Sequence, residues 1–267
     1  MRKYFFLGLI SSAAIFTSCS SNDDNENNQP VEKRLLVSKI TTTYYDNPAG
    51  PETNVATFEY NNQGELIKSL SEGRSSTYEY NNGKLVKASY YNPDQTLDYY
   101  SAFTYNGDQL TETKAIYTNP DSNRKYTYTY LPNGKLASSV LCQDENCSYP
   151  GTSAYTYNGD NISSDTSVMG GTMSFTHKNE YTYDDKLSPF TNTNKYLRLM
   201  REGANSLSKN NYTTEKISYK NSDGTWTQSQ NITYTIQYNS SQMPVQVIGK
   251  EANGNNYVQY NYEYITQ

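Results

Sequence analysis

Any Ser/His/Asp or Cys/His nucleophile system in this chain would have to be built on His177, the single histidine among 267 residues. It sits in Phe175-Thr176-His177-Lys178-Asn179 with no G-x-S-x-G phrase to serve it, and it reads as a surface histidine at a strand end. Paired carboxylates offer a second route, glycoside hydrolysis. Glu59, Glu79, Glu180 and Glu263 each neighbour a tyrosine of one recurring motif, which argues against that role. Equivalent strands then repeat an outward slot in which a carboxylate is simply solvated. The expectation is a protein without catalytic residues, with glycoside hydrolysis as the weaker alternative. Asn119-Pro120-Asp121-Ser122-Asn123 and Asn221-Ser222-Asp223-Gly224 have too few carboxylates for a calcium loop and read as turns. Cys142 and Cys147 flank Gln143-Asp144-Glu145-Asn146, and in an oxidising compartment their default is a disulfide. Asp144 and Glu145 alone do not complete a metal site, so neither metal nor cofactor is expected. The remaining chemistry is aromatic. Tyr90, Tyr91, Tyr99, Tyr100 and Trp226 could stack on sugar rings while hydroxyls and nearby Asn or Thr bond the sugar edges, unless these rings are core.

The elements that would position these residues come from the recurring motif, an aromatic, a polar residue, Tyr, a short Asn/Gly/Asp turn, then Leu or Ile. It spans Phe58–Leu66, Tyr78–Leu85, Phe103–Leu110, Tyr128–Leu136 and Tyr155–Ile162, and a worn copy, Tyr181-Thr182-Tyr183-Asp184-Asp185-Lys186-Leu187, follows. In a strand, residues i and i+2 share a face, so each motif carries a two-ring strip with Glu or Thr on the other side. Asn82-Gly83, Asn106-Gly107, Asn133-Gly134 and Asn158-Gly159 are hairpin turns. Successive motif tyrosines lie 20, 25, 25, 27 and 26 residues apart, which accommodates two strands per repeat. The fold class is all-β, an antiparallel meander of roughly 14–16 strands, too many for an open twisted sheet. A barrel or a strongly curved, near-closed sheet is expected. Tyr must supply much of the core, since only 34% of residues are hydrophobic and 29 are Tyr.

One segment departs from the pattern. Asn192 to Gly203 places Tyr196, Leu199, Met200 and Gly203 at helical spacing, with Thr193 as N-cap and Gly203 as stop, predicting one short helix near 194–202. Such a helix covers an open end or plugs a lumen; the simpler reading is a crossover between two halves.

The amino-terminal residues divide into an export signal (1–18), an acidic tether (19–34) and the Tyr-rich β domain (35–267). Phe16-Thr17-Ser18-Cys19 resembles the lipobox of bacterial lipoproteins, which implies a lipidated Cys19 and a membrane anchor. Ser21-Asn22-Asp23-Asp24-Asn25-Glu26 resembles the acidic signal that sends some Gram-negative lipoproteins to the cell surface. The expected location is therefore the outer membrane, lipid-anchored and outward-facing, with the periplasmic face as the alternative. A net charge of −5 excludes nucleic acid as a partner. The motif is similar to the YD repeats of the RHS family. The whole layout resembles a family of bacterial lipoproteins of unknown function with a porin-like β fold, including Pro189-Phe190, the short helix and Ser208-Lys209-Asn210-Asn211. That resemblance implies architecture and no mechanism. A membrane-spanning porin is not expected, because the strand faces lack a continuous apolar band. The chain is expected to bind glycan or protein through its β domain; the alternative is a structural lipoprotein with no small ligand.

Overall fold

Each of the first five motifs closes a hairpin in the same way, and repetition of that unit builds the architecture. The computed structural model describes residues 34–45, 47, 49–171 and 174–267. Cys19, the signal segment 1–18 and the tether up to residue 33 lie outside the described residues. The strands are β1 (Leu35–Tyr44), β2 (Glu52–Tyr60), β3 (Leu66–Ser71), β4 (Arg74–Asn81), β5 (Lys84–Tyr91), β6 (Leu97–Asn106), β7 (Gln109–Tyr117) and β8 (Arg124–Tyr130). They continue as β9 (Leu136–Cys142), β10 (Gly151–Asn158), β11 (Asn161–Met169), β12 (Phe175–Leu187), β13 (Asn210–Lys220), β14 (Trp226–Tyr238), β15 (Pro244–Lys250) and β16 (Asn256–Thr266). Each pairs antiparallel with its successor, and β1 pairs with β16, for example Leu36 opposite Ile265, so the sheet is a closed sixteen-stranded barrel.

Closure depends on coiling, and every motif carries the device for it. Glu59 faces Lys68 while Tyr60 faces Leu66, leaving Ile67 as an extra residue on the return strand. The same bulge recurs before Tyr80, Tyr105, Tyr130 and Tyr157. A bulge bends its strand and increases the local twist, which an untwisted ladder would not supply. The second motif tyrosine then ties its hairpin to the preceding one. Its hydroxyl donates to the backbone carbonyl of the earlier Leu or Ile: Tyr80 to Leu66 (3.0 Å), Tyr105 to Leu85 (2.8 Å), Tyr130 to Leu110 (2.6 Å), Tyr157 to Leu136 (3.0 Å) and Tyr183 to Ile162 (2.7 Å). Those aliphatic residues are fully buried and form a ring inside one end of the barrel.

The worn sixth motif marks an insertion. No turn follows Tyr183; β12 runs on to Leu187, and residues 188–209 replace the hairpin loop. They form α1 (Lys195–Arg201) and α2 (Gly203–Leu207), whose Tyr196, Leu197 and Ala204 pack on the aliphatic ring. The simpler crossover reading is corrected: the segment closes the motif-turn end of the lumen. Polar bonds to two motif turns and to the start of β1 hold it there, Asn194 Nδ2 to the Gly83 carbonyl (2.9 Å), Tyr196 Oη to that of Asp108 (3.2 Å) and Asn192 Nδ2 to that of Leu35 (3.0 Å). Asn194, not Thr193, caps α1, accepting from the Tyr196 amide at 2.9 Å. Helix α1 stops before Gly203 as expected, through left-handed Glu202 and Gly203 (φ 52° and 72°), but a second helix follows that periodicity did not reveal.

The outer wall is polar. Thr and Ser hydroxyls pair across strands, as in Thr43–Thr53, Thr129–Ser138 and Thr182–Thr214. Lys–Glu pairs recur around the circumference, among them Lys39–Glu263 (2.9 Å), Lys68–Glu59 (3.8 Å), Lys87–Glu79 (4.0 Å) and Lys178–Glu180 (3.2 Å). Such a wall is unsuited to lipid contact, where spanning barrels present an apolar band.

Candidate functional site

With one end closed by α1 and α2, the lumen opens at the other. There the inward-facing Phe175 and Tyr219 remain 45% and 44% exposed. A cavity of about 360 Å³ lies between that opening and the α1/α2 junction.

Cross-strand register builds one wall of it. Tyr90 pairs with Tyr99, and Tyr99 with Tyr117, so three inward rings fall directly opposite one another. Directly opposed rings on neighbouring strands stack; here the centroids are 4.2 Å and 4.5 Å apart. Arg124 ends the column, its guanidinium 5.9 Å from the Tyr117 ring. The ring faces are thus turned largely to one another, and hydroxyl edges are offered to the lumen. Burial, reinforced by neighbouring phenols, pushes the Tyr99 hydroxyl up to about 12 and Tyr90 further, so both stay protonated donors at physiological pH.

The helical junction forms the cavity floor. Arg201 lies over the rings of Phe58 (5.4 Å) and Phe190 (5.0 Å). Among the described residues neither Arg124 nor Arg201 has a carboxylate within ion-pair distance. Glu202 accepts from Tyr155 Oη (2.7 Å) and Ser139 Oγ (2.8 Å). Burial raises its pKa against the lowering effect of those two bonds.

The five aromatic candidates do not form one platform. Tyr90 and Tyr99 face the lumen, while their chain neighbours Tyr91 and Tyr100 face outward, Tyr100 beneath Lys87 (5.1 Å). Trp226 is also on the outer wall, under Lys178 (5.2 Å) and 40% exposed. The inward Tyr117, Tyr126, Arg124 and Arg201 were not singled out from the sequence; cross-strand register through Tyr99 is what joins Tyr117 to Tyr90.

Two further carboxylates line the interior farther round the wall. Asp165 accepts from Tyr181 Oη (2.8 Å) and Asn179 Nδ2 (3.2 Å), and Glu215 from Tyr234 Oη (2.8 Å). Burial raises both pKa values. Asp165 occupies the third place after Ile162, the slot opposite a motif aromatic that holds Ser69, Ala88, Thr113 and Ser139 in other repeats. A charged residue in a series of small ones was the available signal. His177 corrects the surface expectation: it faces inward between Phe175 (5.9 Å) and Tyr219 (6.2 Å), and its buried Nδ1 has no hydrogen-bond partner among the described residues. Glu59, Glu79, Glu180 and Glu263, by contrast, sit outside against lysines and do not converge.

Cys142 and Cys147 are disulfide-bonded, with Cα atoms 4.6 Å apart, in the loop after β9 at the open end. Pro120–Ser122 is a 3-10 turn capped by Asn119, and the Asp223 carboxylate accepts from Thr225 within its own turn. Among the described residues no cluster of His, Cys, Asp and Glu could hold a metal ion. No helix among them is long and apolar enough to cross a membrane.

No protein-family model and no curated protein matches the chain. Solved structures do. A porin-like protein from Bacteroides uniformis superposes with a TM-score of 0.56 at 14% identity, covering 86% of this chain and 96% of its own. A porin-like protein from Bacteroides vulgatus gives 0.58 at 11% identity, covering 87% and 99%. At these identities the likeness is one of fold, the expected porin-like β architecture.

Proposed function

We propose that the chain is a lipid-anchored, non-catalytic protein of the outer membrane that holds a glycan in the open end of its plugged barrel. The observation that carries this reading is the Tyr- and Arg-lined cavity at the end of the lumen opposite the one where Arg34 enters β1. The cavity's volume falls within the range of small-ligand sites, and its polar groups are phenol and guanidinium donors, which suit an oxygen-rich ligand. Tyr155 and Ser139 engage Glu202, and tyrosines likewise engage Asp165 and Glu215, an arrangement for stabilising the wall rather than for acid–base turnover. The envelope location rests on the lipobox-like Cys19 and the acidic run behind it, and the porin-like fold neighbours are compatible with it.

Calorimetric titration of the full-length protein in detergent with neutral and acidic oligosaccharides tests the reading. Binding that Tyr99→Ala abolishes is expected, and no heat with any saccharide would sink it. Protease added to intact cells tests the location: rapid loss supports surface exposure, and protection overturns it.

The outer wall favours a second partner class. Leu70, Ser75, Tyr91 and Leu97 lie in one cross-strand row in which Leu70 and Leu97 are exposed and Ser75 is buried beneath its neighbours. A protein partner would seat there, outside the lumen.

A further inference from the structure

Resting on the glycan-binding reading, we infer that the lumen cavity selects acidic sugars, with the carboxylate of a hexuronic acid residue held by Arg201 and Arg124. Both guanidinium groups line one cavity, each lies on an aromatic face, and neither has an ion-pair partner among the described residues. A guanidinium on a ring keeps its edge N–H groups available, and that planar fork matches a carboxylate in a bidentate manner. Among the described residues the only carboxylate lining the cavity is Glu202, whose charged form burial disfavours. The lining therefore holds an excess of positive charge that a neutral sugar would leave uncompensated and a uronate would neutralise. The phenol edges of Tyr99 and Tyr117 supply donors for ring hydroxyls at the same height of the barrel. Guanidinium groups also bind sulfate and phosphate esters, but those carry three-dimensional oxygen arrays, whereas a planar carboxylate suits a slot walled by stacked rings.

The distinguishing probe is a pair of ligands equal in shape and unequal in charge: trigalacturonic acid and its fully methyl-esterified form. Titration of the full-length protein is expected to show the acid binding at least ten-fold more tightly. That preference should shrink as salt is raised and be lost in Arg124→Gln and Arg201→Gln, the acid losing at least ten-fold more affinity than the ester. Arg201→Lys, which keeps charge and ring contact, is expected to retain part of the preference. Arg124 begins an exposed strand end, so its variant carries the test if Arg201→Gln loosens the helical segment. Equal affinity for acid and ester would overturn the inference and leave the glycan reading standing. Tighter binding of a sulfated trisaccharide would overturn the uronate assignment, and absence of binding to every saccharide would remove both readings.

Discussion

The tyrosine hydroxyls that link each hairpin to its predecessor make a quantitative claim about stability. Tyr80, Tyr105, Tyr130 and Tyr157 donate to backbone carbonyls at 2.6–3.0 Å beside fully buried leucines. Replacing each by Phe keeps the ring and removes one bond, so each costs about 1 kcal/mol, more where the carbonyl is left dry. Neighbouring rungs stand two strands, roughly 9.5 Å, apart. At that separation losses add to within a few tenths of a kcal/mol, giving about 4 kcal/mol for the quadruple variant. For a domain of this size the melting midpoint should fall by roughly 8–16 °C. Urea unfolding of the four single variants, their combinations and Tyr91→Phe is the assay, since Tyr91 faces outward and serves as control. The expected result is a stepwise drop in midpoint at constant slope, with the control unchanged. If Tyr130→Phe cannot be told from Tyr91→Phe, the linking bonds do not hold the barrel and the reasoning is refuted.

Three other outcomes follow from particular contacts. A Cβ at Gly249 would stand 2.7 Å from Tyr234 Cε1, so Gly249→Ala should cost about 1–3 kcal/mol in urea unfolding, and a neutral result would mean that the Tyr234 ring can move aside. Leu110→Ala, under the helical segment with no exposed surface, should cost about 2–5 kcal/mol, and a loss below 1 kcal/mol would show that helix and ring are not packed as described. Burial raises the pKa values of Asp165, Glu202 and Glu215, so the folded state holds protons the unfolded chain has released. Their contribution is fully present below the ordinary carboxylate range and is lost as pH rises through the raised values. The melting temperature should therefore be higher near pH 5 than near pH 8, with the difference reduced in Asp165→Asn; a difference of opposite sign refutes the assignment.

Much of this fold is written in local residue order. Asn82-Gly83 adopts the left-handed conformations its composition requires (φ 50° and 74°), and the aromatic–polar–Tyr alternation places rings inside and Glu or Thr outside. What local order does not encode is the partner of the first strand. Closure of β1 on β16 depends on accumulated coiling from bulges, and a bulge appears in sequence only as one extra residue such as Ile67. The helical segment was legible as a helix, and its covering of one end was the less favoured of two readings of its role. Its expected stripe of Tyr196, Leu199 and Met200 differs from the fully covered pair Tyr196 and Leu197, because the aliphatic ring covers that pair while Met200 lines the lumen cavity and Leu199 a second hollow. The site was the least legible part. Period-two parity already separates Tyr90 from Tyr91 and Tyr99 from Tyr100, but only register brings Tyr117 and Arg124 to the same column.

The amides and carbonyls of Arg34 and Gln267 exchange hydrogen bonds (2.7 and 3.0 Å), so the polypeptide meets itself at a seam. Every other strand pairing joins consecutive strands and can form early, at a small loop-closure cost. Among the strand pairings the seam alone joins residues more than two hundred positions apart, the kind of distant contact that slows folding. Assembly should thus wait on this last pairing, and a circularly permuted chain, relinked across Arg34 and Gln267 and opened at residues 222–223, would transfer the delay to the β13–β14 hairpin without altering the finished cylinder.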